Sequence, residues 1–172
     1  MSKKAALLML ALVFILSLTA QGLAQEKKQP AWMSSPAKEM VDKALASVKK
    51  VTIQDLKKAM DNKEDIVILD VRNPNEYDVA HIPGAFNVSR GLLEFQIWSV
   101  VPDKNAKIYV YCRTGARAAL ATKQLNEFGY KNAVSVDTGG VAWAKAGYPI
   151  QTSISDEEII IVPAAQGKPV GQ

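Results

Sequence analysis

Among 172 residues there is one cysteine and one histidine. A single cysteine excludes an intrachain disulfide, a CxxC redox pair and a cysteine-rich zinc site. A single histidine leaves little basis for a histidine metal cluster or for acid–base chemistry shared by two imidazoles. Basic runs and arginine-rich helices suited to a phosphate backbone are missing from the body of the chain, which argues against nucleic-acid binding. Internal repeats and low-complexity blocks are missing from it too. With 48% hydrophobic and 22% charged residues, the chain is neither wholly disordered nor a multi-span membrane protein. Its length fits one domain. Any chemistry has to be done with few soft or titratable side chains.

The N-terminus skews these figures. Lys3 and Lys4 precede an apolar run from Ala5 to Leu18, and Gly22 and Ala24 are the small residues of an export cleavage site. The run is shorter than the roughly 20 residues of a membrane span. Residues 1–24 therefore read as a signal peptide, with a retained membrane anchor as the alternative. No cysteine follows the apolar run, so a lipoprotein signal does not fit. Cleavage near Ala24 would leave 148 residues, lower the formal net charge from +4 to +2, and give a periplasmic or secreted protein without a membrane span. Residues 25–50 read as a polar leader and an N-terminal helix, 51–150 as the main domain, and 151–172 as a C-terminal extension and loose tail.

Hydrophobic patterning divides the body into alternating strands and helices. Ser35-Pro36 reads as a helix start, with Met40, Ala44, Leu45 and Val48 on one face. Thr52 and Asp55 have capping-box spacing before a helix carrying Leu56 and Met60. The short apolar runs Ile66–Leu69, Ala85–Val88, Ile108–Tyr111 and Ala133–Val136 read as strands, the β-branched ones as buried. Leu92–Val101 reads as a buried helix that could also line the mouth of a site. Ala118, Ala121, Leu125 and Phe128 keep a helical period that Gly129 stops. Val141–Ala146 reads as a short helix, and Glu158–Val162 as a possible late strand. Strands alternating with helices predict an α/β protein with a parallel sheet covered on both faces.

In such sheets ligands sit beyond the carboxyl ends of the strands. Cys112 is at such an end, followed by Arg113-Thr114-Gly115-Ala116-Arg117 and then by a helix. Free N–H groups at a helix start and two nearby arginines favour an anion there. Both favour thiolate over thiol and make Cys112 a nucleophile rather than an inert core cysteine. Gly115 lets successive N–H groups turn toward one anion. Four residues separate Cys112 from Arg117. Phosphatases with a comparable loop have one residue more, so this tighter ring suits a sulfur atom on Cys112 better than a phosphate group.

Several motifs then occur in order: Leu69-Asp70-Val71-Arg72 with Glu76-Tyr77, His81-Ile82-Pro83-Gly84-Ala85, Tyr111 to Arg117, Gly139-Gly140 with Trp143, and Gly147-Tyr148-Pro149. Together they resemble a single-domain rhodanese. The resemblance implies a three-layer fold with a mostly parallel sheet of about five strands and helices on both faces. It also implies sulfur transfer, in which Cys112 takes a sulfane sulfur from a small anionic donor such as thiosulfate and passes it to cyanide or a thiol. Cys112 would carry the persulfide, Arg113, Thr114, Gly115, Ala116 and Arg117 would hold its charge, and Arg113 and Arg117 would orient the donor. No cofactor or metal is implied, and a protein acceptor is left unspecified.

Asp70 and Arg72, at the end of the first central strand, read as a salt-bridged turn framework with Glu76, the alternative being a supporting role in orienting a loop arginine or tuning Cys112. Two-domain rhodaneses often carry arginine where this chain has Pro83, and Arg90 is the candidate substitute. His81 reads as a turn-holding residue rather than a base, and Trp143 as packing. The alternatives are a non-catalytic sulfur-carrier or partner-binding module and, third, a cysteine-dependent phosphatase or arsenate reductase. The short loop disfavours that third class.

Overall fold

The protein is described by a computed structural model that covers Met33 and residues 35–153. The export signal read over residues 1–24 and the late strand at 158–162 lie outside the described residues.

Helix α1 (Ala37–Ser47) starts after Pro36, which occupies the N-cap position. It buries Val41 and Ala44, and Val48 follows just beyond its end. Met40, expected on that face, is 63% exposed. The rest of the expected face holds, with Ala44 and Val48 packed on Ala119 of another helix and Leu45 beside them, and Val41 fills the place expected of Met40. Strand β1 (Lys50–Val51) follows, then α2 (Ile53–Asp61). The capping box forms: the Asp55 N–H donates to Thr52 Oγ1 at 3.1 Å, and the Thr52 N–H donates to Asp55 Oδ2 at 2.8 Å. This start turns Ile53, Leu56 and Ala59 inward.

The remaining elements are β2 (Val67–Asp70), α3 (Pro74–Val79), β3 (Ala85–Asn87), a 3₁₀ turn (Arg90–Leu92), α4 (Leu93–Val100), β4 (Ile108–Tyr111), α5 (Ala116–Glu127), β5 (Ala133–Val136) and α6 (Gly139–Lys145). The five strands form one sheet in the order β1-β5-β4-β2-β3, with every pairing parallel. Strand β4 is central, and Asp70 of β2 is in register with Tyr111 of β4. The two chain segments that flank the site therefore leave the sheet at the same level.

Both faces are covered, which explains why the central strands are apolar without alternation. Ile108 and Val110 of β4 face a layer with Leu93 and Ile97 of α4 and Ala118, Ala121 and Leu125 of α5. Tyr109 and Tyr111 face the other layer, with Ile53 and Leu56 of α2 and Trp143 of α6. The expectation of a fully buried helix over Leu92–Val101 is corrected. Leu93 and Ile97 are buried, but Leu92, Phe95 and Trp98 are exposed, Phe95 by 73%. An eight-residue helix lying on a sheet offers it one narrow stripe, and positions i and i+4 fill it. Beyond α6 the chain returns to His81, with which Gln151 exchanges two backbone hydrogen bonds of 2.8 Å.

Among the described residues no helix is long and apolar enough to cross a membrane.

Candidate active site

Strand β4 ends at Tyr111, and the next residue, Cys112, is a buried free thiol, 1% exposed. Gly115 stands at the N-cap of α5 with φ +100°, a left-handed conformation that glycine adopts without steric cost. That turn sends its N–H back to Cys112 Sγ at 3.2 Å. The sulfur thus sits before the N-terminus of a twelve-residue helix and accepts a backbone hydrogen bond. Both features stabilise negative charge on it.

A second helix start clamps the same loop from outside. The Gly140 N–H donates to the Cys112 carbonyl at 2.8 Å, and the Val141 N–H donates to the Arg113 carbonyl at 3.1 Å. The first N–H groups of α6 are thereby satisfied by the carbonyls of the cysteine loop. Gly139 makes this approach possible. A Cβ there would lie 2.2 Å from the Cys112 carbonyl oxygen, and its φ is +57°.

The two loop arginines have different surroundings. Arg117 makes a bidentate pair with Glu76 of α3: Nη1 to Oε2 at 2.7 Å and Nη2 to Oε1 at 2.8 Å. The hydrogen bonds from Arg117 hold the Glu76 carboxyl at about 2, far below its ordinary 4.5, against an opposing effect of burial and with help from the Asn73 N–H. The same pair raises the Arg117 guanidinium. Arg113 is exposed, and the ion pairs of the site take up Arg72 and Arg117 but not Arg113 among the described residues.

Asp70, Arg72 and Tyr111 form a buried set beneath the loop. Asp70 is fully buried and accepts from Arg72 Nε at 2.9 and 3.0 Å and from the Arg72 backbone N–H at 2.9 Å. Arg72 Nη2 also donates to the Ala80 carbonyl at 2.7 Å, and its guanidinium lies 5.7 Å from the centre of the Tyr111 ring. Burial would lower the Arg72 guanidinium, but the hydrogen bond and charge of Asp70 outweigh it and the net shift is upward. Burial pushes the Tyr111 phenol well above its usual value. The phenol oxygen accepts the Ile82 N–H at 3.1 Å.

Thr114 is exposed and Ala116 half-buried on the loop. Arg90 is held elsewhere: Nη1 pairs with Glu94 at 3.2 Å, while Nε is buried without a hydrogen-bond partner. His81 stacks on Tyr77 with ring centres 3.8 Å apart, and its Nδ1 lies 2.8 Å from the Tyr77 carbonyl. Trp143 is fully buried and donates Nε1–H to the Pro149 carbonyl at 2.7 Å. Of the expected framework, Asp70 and Arg72 do pair, but Glu76 is the partner of Arg117. Its separation of 41 residues hides the contact. The spacing Asn73-Pro74-x-Glu76, a helix-start signal for α3, was the available clue. Among the described residues no group of three or more His, Cys, Asp or Glu side chains converges as a metal site would require.

The fold and this loop define an α/β domain that presents one thiol at a helix start. Residues 52–146 match the model of the rhodanese-like domain, and the chain belongs to that family. It is 31% identical to the putative sulfur carrier protein YrkF of Bacillus subtilis over 98 residues, which cover 57% of this chain and 52% of that one. It is 39% identical to the thiosulfate sulfurtransferase PspE of Escherichia coli over 62 residues, covering 36% of this chain and 60% of that one. The matches therefore span about half of YrkF and three fifths of PspE. A solved structure from Rhodopseudomonas palustris, a protein of unknown function described as a possible tyrosine phosphatase, superposes with a TM-score of 0.62 at 33% identity. The match covers 72% of this chain and 99% of that one. By their names, YrkF and PspE make this a family that includes sulfur carriers and sulfurtransferases.

Proposed function

We propose that the protein is an exported sulfurtransferase that carries a sulfane sulfur as a persulfide on Cys112. The observation that carries this reading is the Gly115 N–H on Cys112 Sγ at the start of α5. With thiosulfate as donor, the Cys112 thiolate attacks the outer sulfur. The Sγ–S bond forms as the S–S bond of thiosulfate breaks, and sulfite leaves with the electron pair. The persulfide charge then rests in the loop formed by Arg113, Thr114, Gly115, Ala116 and Arg117. Exposed Arg113 draws in the anionic donor, while Arg117 fixes the loop to α3 through Glu76. Asp70 and Arg72 hold the strand end beneath. Cyanide or a thiol removes the sulfur and restores the thiolate, so no cofactor is needed.

A phosphatase reading is disfavoured because Arg117, which would bind phosphate, is committed to Glu76. The carrier reading is favoured by the likeness to a putative sulfur carrier and differs only in turnover.

The test is thiosulfate–cyanide turnover together with the intact mass of the protein after exposure to donor. Turnover and a mass gain of one sulfur are expected, both lost in Cys112→Ser. A persulfide without turnover supports the carrier. Neither turnover nor mass gain with any sulfane donor refutes both. Export rests on residues 1–24, and N-terminal sequencing of exported protein should begin at Gln25.

A further inference from the structure

The last described residues are tied to the end of α3. The Ser153 N–H and the Thr152 hydroxyl both donate to the Asp78 carbonyl, at 2.9 and 3.0 Å. Val79, next in the chain to Asp78, and Ile150, three residues before Ser153, both line a cavity of about 480 Å³ between α3 and α6. Ile82, Val141 and Ala144 add to its apolar walls, and Val79 is 62% exposed at it. Of the charged lining groups, Arg72 and Glu76 are neutralised by Asp70 and Arg117. Arg113 is exposed and has no ion pair among the described residues. Cys112 does not line this cavity; its side chain packs in the other layer, with Leu93 and Ala118. The cavity is therefore a surface apart from the reacting sulfur, joined to its loop only through Arg113.

The sequence that follows Ser153 is complementary to this surface. Asp156-Glu157-Glu158 leads directly into Ile159-Ile160-Ile161-Val162, the run read as a possible late strand. The six residue steps from Ser153 to Ile159 span about 20 Å when extended, ample to cross a cavity of 480 Å³. Acidic residues come first and isoleucines second. The wall has the same order: Arg113, then Val141, whose N–H bonds the Arg113 carbonyl at 3.1 Å, then Ala144 along α6. In an extended segment Ile159 and Ile161 share one face. So short a tether gives an effective concentration on the order of millimolar, at which weak contacts suffice. We propose that segment 156–162 docks in this cavity of its own chain, its acidic residues on Arg113 and Ile159 and Ile161 against Val141 and Ala144. Docked, it occupies the cation that draws in the anionic donor and competes with that donor without touching Cys112. The competition, unlike the docking, rests on the sulfur-transfer reading above.

The test compares NMR spectra of the full chain with those of the double variant Ile159→Asp, Ile161→Asp, which leaves every described residue in place. Signals of Val79, Val141, Trp143 and Ala144 should differ, those of α1 and β1 should not, and the differences should survive tenfold dilution. A synthetic peptide of residues 154–163, added to the double variant, should restore the wild-type shifts saturably. The peptide with Asp156→Asn, Glu157→Gln and Glu158→Gln should bind at least fivefold more weakly. Wild type, its cavity already filled, should bind the unaltered peptide at least tenfold more weakly than the double variant does. In thiosulfate turnover the double variant should show KM at least threefold lower with kcat unchanged. No difference at the cavity residues, or peptide binding indifferent to the acidic residues, overturns the docking. Differences that fade on dilution would put the segment on a second copy and overturn it too. Docking with equal KM overturns the competition alone. If no donor loads Cys112, the sulfur-transfer reading fails and the spectra still decide the docking. Should the double variant not fold, Asp156→Asn, Glu157→Gln, Glu158→Gln in the full chain replaces it.

Discussion

Glu76→Gln keeps the shape of the side chain and removes the charge that holds Arg117. In the folded protein the Arg117 hydrogen bonds keep the Glu76 carboxyl at about 2 instead of 4.5. Taken whole, that difference corresponds to about 3 kcal/mol. The pair is partly open to water, with side-chain exposures of 34% for Arg117 and 29% for Glu76, so solvent screens it and about 1 kcal/mol is expected. The sign follows from the direction of the shift. A carboxyl depressed by folding contributes its full stability above 4.5, and that contribution fades as pH falls toward 2. Urea unfolding of wild type and variant across this window reads it directly, because the other carboxyl groups cancel in the difference. Wild type should be more stable by about 1 kcal/mol at pH 7, with the gap closing as pH falls below 4.5. Persulfide formation on Cys112 should also slow in the variant at pH 7, since the far end of the loop loses its anchor. No gap at pH 7, or a gap that ignores pH, would mean that Glu76 does not hold the loop.

Gly139→Ala places a methyl group 2.2 Å from the Cys112 carbonyl oxygen at a φ of +57°. Backbone strain of about 1–3 kcal/mol and the displaced Gly140 and Val141 hydrogen bonds should lower thermal stability, and sulfur transfer should fall at least tenfold. A variant with wild-type turnover would show that the clamp from α6 is dispensable. Asp70→Asn leaves the Arg72 guanidinium, whose side chain is 12% exposed, without its carboxylate, and a cost of about 3–5 kcal/mol in chemical unfolding is expected. A cost within experimental error would contradict the buried pair.

Strands β4 and β5 are legible in sequence residue for residue, because runs such as Ile108–Tyr111 have a buried neighbour on each face and need no alternation. Strand β1 is not legible, since Lys50 and Val51 form a strand only by pairing with Ser135 and Val136. Helix α3 was missed because it has six residues and buries none of them, so no hydrophobic period marks it. On α1 the period places Ala44, Leu45 and Val48 correctly but does not choose between the apolar neighbours Met40 and Val41, of which Val41 is the buried one. For the site, the position of Cys112 at a strand end before a helix follows from local pattern. The contrasting surroundings of Arg113 and Arg117 do not, because the partner of Arg117 is 41 residues away. His81 and Trp143, read as framework and packing, are seen stacked on Tyr77 and enclosed in the core.

Strand β4 lies in the middle of the sheet, and the loop that leaves it is gripped on one side from beyond β2, by Glu76, and on the other from beyond β5, by Gly140 and Val141. The nucleophile is therefore the property of no single βα unit. A fragment that stops before residue 139 or begins after residue 76 would carry the cysteine motif without its grip. Shuffling and trimming can vary the ends of such a chain, but the stretch from Asp70 to Val141 must be inherited as one piece. A protease cut within it should silence the thiol even where the two parts stay associated, provided the cut frees one of the grips.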